Sequence, residues 1–242
     1  MTQHQQKDKL RAIMEDNLNI DPTQKPIVEK YVDVRKLVLV EKPPTDTKID
    51  ILNQETITAA YALMDEKLNP MILNFASDKR PGGGCFNGSL AQEESLFYRS
   101  LYHLALPNNM YPLKDWDAIY SKNIEFIRDV DFNRIEPRII SCLAIAAVKN
   151  PVVLDLYPPI YSQQDEQLMI AKIESVFKIA AEHKHDSLVV GAFGCGVYNN
   201  PSILVAKMFL NAIKKYGGHF KKIVFAILDT KGHTIKIFKD VI

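Results

Sequence analysis

Three consecutive glycines, Gly82 to Gly84, are followed after seven residues by Gln92-Glu93-Glu94, within the stretch Arg80 to Ser95 (RPGGGCFNGSLAQEES). Glycine tolerates positive φ and close backbone approach, so a run of three suits a loop whose N–H groups wrap an anion. Adjacent carboxyls just beyond it offer an acid and a base. General acid–base catalysis needs such a pair, one carboxyl giving a proton to a leaving group and a carboxylate taking one up. The pattern predicts a phosphate-gripping loop beside catalytic carboxyls. In the competing reading, Gln92, Glu93 and Glu94 only complement the dipole of a helix that starts there, as first-turn glutamates ordinarily do. The triple glycine favours catalysis.

A second glycine cluster runs from Gly191 to Asn200 (GAFGCGVYNN). It lacks the Gly-Lys-Ser/Thr ending of a nucleotide-hydrolysing P-loop, and Gly194-x-Gly196 is followed three residues on by Asn199 rather than glycine or alanine, so neither standard nucleotide fingerprint is met. The loop nevertheless leaves a strand pattern and opens a helix pattern, where free N–H groups and the helix dipole favour a diphosphate.

The elements that must hold these loops alternate between helix and strand. Lys9 to Asn17 reads as an amphipathic helix, broken at Asp21-Pro22 and Pro26, and the short apolar runs Lys36 to Val40 and Ile49 to Leu52 read as strands. Thr56 to Leu68 has helical spacing, ended by Pro70, and Met71 to Phe75 is a buried-type strand that delivers the chain into the first glycine loop. Glu93 to Leu106 resumes helical periodicity. A less regular stretch holds Tyr111, Trp116 and Tyr120, and Arg138 to Val148 reads as a buried strand. Gln163 to Lys184 reads as a helix, Ser187 to Ala192 as a strand, Pro201 to Tyr216 as a helix with proline in its first turn, and Ile223 to Leu228 as a strand. Thr234 to Lys239 reads as an edge strand. Such alternation predicts an α/β sheet covered by helices on both faces, with ligands at the carboxyl ends of the strands.

Composition narrows the partners. The chain has 242 residues, 47% of them hydrophobic, and a formal net charge of +1. That is enough for one sizeable core and gives no bulk electrostatic case for nucleic acid or an anionic membrane. A small ligand fits better. No run of about 18 apolar residues exists, and the polar start MTQHQQKDKL lacks the order of a secretory signal, so a cytoplasmic location is expected. Cys85, Cys142 and Cys195 form no CxxC pair and suit a reducing compartment as structural thiols.

With these residues in view, LNFASDKRPGGGCFNGSLAQEESLFYRSLY, LVVGAFGCGVYNNPSILVAKMF and the closing KIVFAILD resemble the microbial type of poly(ADP-ribose) glycohydrolase, a compact member of the macrodomain group. The likeness covers most of the chain. It reaches more weakly to the first helix, to Asn53–Ile57 and to the strand before Asn150-Pro151, and a triple glycine followed after six to eight residues by QEE is that family's catalytic signature. The resemblance implies a macrodomain-like three-layer α/β/α sandwich with a mixed central sheet. One domain would span residues 1–242, with residues 1–35 as an N-terminal helical extension. It further implies metal-free hydrolysis at the ribose anomeric carbon, with no cofactor.

Carried over by position, Glu94 matches the catalytic glutamate and Glu93 its ribose-binding neighbour, with Gln92 beside them at the substrate. Asn74 matches a ribose-orienting asparagine. Gly82, Gly83 and Gly84 match the loop lining the diphosphate and scissile ribose, while Gly194, Cys195, Gly196 and Val197 match the second diphosphate loop. Tyr198 takes the place of an aromatic packed on the ribose. Cys85 departs from the pattern, since a bulky aromatic usually follows the glycines; here Phe86 comes one place later. The implied partners are ADP-ribose, poly(ADP-ribose) or ADP-ribosylated proteins, an arginine linkage included, acted on by a monomer without nucleic acid or membrane. The alternative is a module that reads ADP-ribose without cutting it, and Glu94 is what separates the two.

The remaining candidates read as structural. His183 and His185 lack the neighbours of a zinc site and are expected as a solvated pair. Tyr98 and Tyr102 stand at i, i+4 and pack, and Tyr111, Trp116 and Tyr120 belong to core or cover, or to the edge of a cleft. Lys214, Lys215, Lys221 and Lys222 form solvated surface or meet an anionic polymer.

Overall fold

The computed structural model describes residues 2–154 and 159–242. Its centre is a seven-stranded sheet made of β1 (Ile27–Tyr31), β2 (Lys48–Leu52), β3 (Pro70–Phe75), β4 (Ala118–Arg128), β5 (Arg134–Ile145), β8 (Ser187–Val190) and β9 (Lys222–Ala226). The spatial order is β1-β4-β5-β3-β8-β9-β2. β1, β4 and β5 pair antiparallel, and β5, β3, β8, β9 and β2 pair parallel, so the sheet is mixed. Two short strands, β6 (Val153–Leu154) and β7 (Ile160–Tyr161), pair antiparallel outside the main sheet.

Met71-Ile72-Leu73, Leu188-Val189-Val190 and Ile223-Val224-Phe225 are apolar at every position because both faces of the parallel half are covered. Ile72, Val189 and Val224 point to a layer formed by α1 (Gln3–Leu18), α2 (Thr56–Asp65) and α3 (Gln92–Arg99). Met71, Leu73, Leu188, Val190, Ile223 and Phe225 point to the opposite layer, α4 (Gln163–Glu182), α5 (Ser202–Tyr216) and α6 (His233–Val241). The result is the expected three-layer α/β/α sandwich. Because β3, β8, β9 and β2 run parallel, the loops after all four open at one edge of the sheet.

Several elements differ from the sequence reading. Lys36–Val40 is not a strand: Val34–Lys36 forms a short 3-10 turn, and the following residues run extended without a ladder. The alternation there is real, since Leu37 and Leu39 pack on the core, but Val38 is 92% exposed and the segment runs across the end of α5 instead. Thr234–Lys239 lies within α6 rather than an edge strand. Ile235 and Phe238 are its buried face, and Asp229 caps its start by accepting from the N–H of Thr234 and Ile235. β1 and β4 were not anticipated. β1 lies inside the segment read as a helical extension, so residues 1–35 supply a sheet edge as well as α1. In β4 the strand alternation is interrupted at Asn123, which has φ 64° between the register shifts to β5. α3 stops at Arg99 because Ser100 turns extended and bridges Phe126. Pro70 opens β3 rather than ending α2, which has already stopped at Asp65, and Pro201 is the N-cap of α5.

The two histidines are packed, not solvated. His183 stacks on Tyr120 with centroids 3.6 Å apart and meets the Tyr31 hydroxyl at 3.0 Å, while His185 is buried between the Tyr120 hydroxyl and the Asn69 carbonyl. Burial lowers both imidazole pKa values, that of His185 to about 4.

Candidate active site

The first glycine loop does something other than present free N–H groups. The Gly82 N–H donates to Glu93 Oε1 at 3.2 Å and the Gly84 N–H to Glu94 Oε1 at 2.8 Å. The loop therefore grips the two carboxylates. Glu93 Oε2 also accepts from the Ser77 N–H at 2.8 Å, and Glu94 Oε2 from the Ala91 N–H at 3.0 Å, the latter as an N3 side chain reaching back to the N-cap of α3. Gly83 stands between them with φ 54°, and a Cβ there would lie 2.6 Å from Glu94 Oε1 and 3.1 Å from Glu93 Oε2. Only glycine lets the backbone pass this close to both carboxyls.

Burial pushes the Glu93 carboxyl up to about 7, and the charge of Glu94 acts in the same direction; the N–H groups of Ser77 and Gly82 and the Asn74 amide oppose it. Asn74 is fully buried at the end of β3, with Nδ2 3.4 Å from Glu93 Oε1 and Oδ1 without a partner among the described residues. It stands behind Glu93 rather than in the cleft wall. Gln92 lines the cleft, yet its carboxamide is taken up by β3: Oε1 accepts from the Phe75 N–H at 2.9 Å and Nε2 donates to the Leu73 carbonyl at 2.8 Å. Gln92 thus ties α3 to the strand end.

These groups face a cleft of about 860 Å³ at the carboxyl ends of the strands. Gly83 and Gly84 form one wall and Gly194, Gly196, Val197 and Tyr198 the other. Gly194, with φ 74°, packs its α-carbon between Ala147 and Asn200, whose Nδ2 holds the Val148 and Gly194 carbonyls. At Gly196 a Cβ would meet nothing within 4 Å, because the position opens into the cleft. No acceptor within the described residues takes the Gly196 or Val197 N–H groups. Cys195 turns its side chain toward the larger core and its N–H to the Ala192 carbonyl, so its contribution is to the shape of the loop. Gly82 likewise lies against Phe97 and Cys85 rather than on the wall. Neither Cys85, which is buried, nor the exposed Phe86 lines the cleft, so Phe86 does not stand in for the family's aromatic.

Sequence reasoning missed three contributors. Ser77 supplies the N–H that holds Glu93. Asp78 accepts from the Tyr198 hydroxyl at 2.9 Å and returns its own N–H to the same oxygen at 3.1 Å, joining the two loops. Glu55 lines the far part of the cleft and pairs with Arg99, which is buried. Nothing in the local spacing announces such partners, which lie tens of residues apart in the chain. Among the described residues no group of three or more His, Cys, Asp or Glu is placed to hold a metal ion.

Two carboxyls converging on one glycine at the mouth of a cleft in an α/β/α sandwich fit the acid–base work of a glycosidic-bond hydrolase. The family model for the catalytic domain of microbial-type PARG, poly(ADP-ribose) glycohydrolase, matches residues 3–129, and the chain belongs to that family. Among solved structures it is similar to poly(ADP-ribose) glycohydrolase from Thermomonospora curvata, at 24% identity and a TM-score of 0.81 over 97% of this chain and 100% of that one. The same protein bound to the inhibitor ADP-HPD matches at 25% identity and 0.80, over 96% and 99% of the two chains. The Deinococcus radiodurans glycohydrolase in complex with ADP-ribose matches at 23% and 0.69, over 98% and 90%. Comparison with curated proteins gives no significant match. Membership of a catalytic-domain family sets aside the non-catalytic reader.

Proposed function

We propose that the cleft binds ADP-ribose with its diphosphate against the Gly194–Val197 loop and its terminal ribose over Gly83, and that Glu94 cleaves the bond at the anomeric carbon. Protonated Glu94 gives its proton to the leaving oxygen as the bond from that oxygen to the anomeric carbon breaks. A water oxygen then bonds to the same carbon while Glu94 takes the water's proton and is restored. Glu93, held from behind by Ser77, Gly82 and Asn74, orients the ribose hydroxyls, and Tyr198 closes the ribose side through its bond to Asp78. The observation that carries this reading is the convergence of both carboxyls on Gly83. The donors spent on the carboxylates leave the diphosphate to the second loop, whose N–H groups at Gly196 and Val197 remain available. The substrates are poly(ADP-ribose) or ADP-ribosylated proteins. No helix is long and apolar enough to cross a membrane among the described residues, and three unpaired thiols support a reducing compartment such as the cytoplasm.

The test is paired. Glu94→Gln keeps the size of the side chain but cannot shuttle a proton, so turnover falls by roughly the 10²–10⁴-fold credited to general acid–base catalysis while ADP-ribose still binds in calorimetry. Wild-type hydrolysis persists in excess chelator. A Glu94→Gln protein that cleaves at the wild-type rate would sink the mechanism.

A further inference from the structure

We propose that Lys79, Arg80 and Lys149 form a subsite for the diphosphate of the unit on the leaving side of the scissile bond, at a rim that repels a leaving guanidinium. The inference rests on the ribose lying over Gly83, as read above. Ser77 and Gly82 both donate their N–H groups to Glu93, so residues 78–81 arch over that carboxylate from one side to the other. Lys79 and Arg80 sit exposed at the apex and line the cleft mouth. The arch is fixed by the Lys79 N–H on Ser77 Oγ at 3.2 Å and by the Gly83 N–H on the Arg80 carbonyl at 3.4 Å. Among the described residues neither cation has a carboxylate within salt-bridge reach. Lys149 enters from the end of β5, its Nζ 5.4 Å from the Tyr198 ring centroid and 3.9 Å from Asp78 Oδ1. Asp78 stands on the same rim, its Oδ1 shared between the Tyr198 hydroxyl and Lys149, so Lys79 and Arg80 supply the excess positive charge there.

Sheet order sets the direction. The cleft runs from the ends of β2 and β9, where Ile57 and Leu228 offer apolar wall, past the second loop after β8, to the ends of β3 and β5, where the three cations stand. A base at the first end, diphosphate in the middle and ribose over Gly83 leave the cations just past the scissile bond. In the polymer the leaving oxygen belongs to an adenosine ribose whose own diphosphate is a few bonds away. An arginine-linked substrate instead brings a guanidinium to the same rim, where like charges repel. Of the four lysines singled out in the sequence for an anionic polymer, three are paired elsewhere: Lys215 with Glu174, Lys221 with Asp186, and Lys222 with Asp50 and Glu66, the last two lysines at the opposite end of the parallel strands.

The experiment measures kcat/KM of the wild type and of the Lys79→Ala/Arg80→Ala and Lys149→Ala variants. The substrates are poly(ADP-ribose), a protein singly modified on glutamate and one singly modified on arginine, at low and high salt, with ADP-ribose affinity measured alongside. Exposed charges each contribute little, so the double variant should lower the ratio of polymer to glutamate-linked kcat/KM by about three- to tenfold and flatten its salt dependence. The arginine-linked substrate should gain relative to the glutamate-linked one. Equal losses on polymer and glutamate-linked substrate, or no loss on polymer, overturn the subsite while leaving the hydrolase intact. A wild type that neither binds ADP-ribose nor cleaves any of the three overturns the underlying reading, and the subsite falls with it.

Discussion

Glu93 ties the stability of the protein to pH. Its ordinary pKa of 4.5 is raised to about 7 in the folded protein, so the native state binds that proton more tightly than the unfolded chain does. Stability therefore falls as pH rises from about 4.5 to about 7, with no penalty below this window and the full penalty, on the order of 3 kcal/mol, above it. Glu93→Gln removes the ionisation, so the melting temperature of the variant should gain on that of the wild type between pH 5 and pH 8. A constant offset across that range would count against the burial of this carboxyl. The two glycine loops separate in the same residue-level way. Gly83→Ala forces a Cβ against the Glu94 carboxylate at a positive φ, and should cost both folding stability and activity. Gly196→Val enters open space, so the melting temperature should hold while ADP-ribose binding weakens by about tenfold, the equivalent of one hydrogen bond to a charged group. Calorimetry and thermal melting together distinguish the pair.

At the scale of elements, α1 buttresses α3 and the loop before it. Asn17 is fully buried and its Nδ2 donates to the Phe97 and Tyr98 carbonyls at the end of α3, while its Oδ1 accepts from Arg128 Nε at 3.1 Å. Gly88 lies against the Lys7 backbone, where a Cβ would stand 2.7 Å from the carbonyl oxygen. Asn17→Ala leaves a buried guanidinium and helix-end carbonyls short of partners, and should cost about 2–3 kcal/mol in urea unfolding. A loss within 0.5 kcal/mol would argue that α1 only covers the sheet. The elements legible in the sequence are those whose pattern is set by burial on both faces: β3, β8 and β9 are short apolar runs, and α4 and α5 carry long helical periodicity. The missed ones depend on distant partners. β4 hides its alternation behind the bulge at Asn123, and β1 is five residues whose strand character comes from pairing with β4. α6 reads as a strand because Ile235 and Ile237 alternate, whereas its helix start is set by Asp229, outside the apolar window. In the site, the signature pointed to both glutamates and the first loop and the Gly191–Asn200 cluster to the second, but the donors that hold the glutamates are backbone N–H groups, which leave no mark in residue type.

Across the whole molecule, the parallel half of the sheet gathers the loops after β2, β3, β8 and β9 at one edge, and the basic residues at the other end of those strands are neutralised by partners. Cys85 and Cys142 are fully buried and Cys195 partly so, all three unpaired. Burial pushes the Cys85 and Cys195 thiols up to about 12 and that of Cys142 higher still. Since the thiolate is the reactive form, the native protein should resist alkylation at pH 7.5 and take up three labels only on unfolding, as mass spectrometry would show. Rapid labelling of the native protein would place one of these sulfurs in a different setting.

The grip of the glycine loop on the two glutamates also governs how a capture reagent for ADP-ribosylated material has to be made from this protein. Cutting Glu94 back to alanine removes the acceptor for both Gly84 and Ala91 and slackens the rim that a bait must fit, so lost capture would be mistaken for lost recognition. Glutamine keeps one acceptor in place, and the inert protein would still present the shape of the working one.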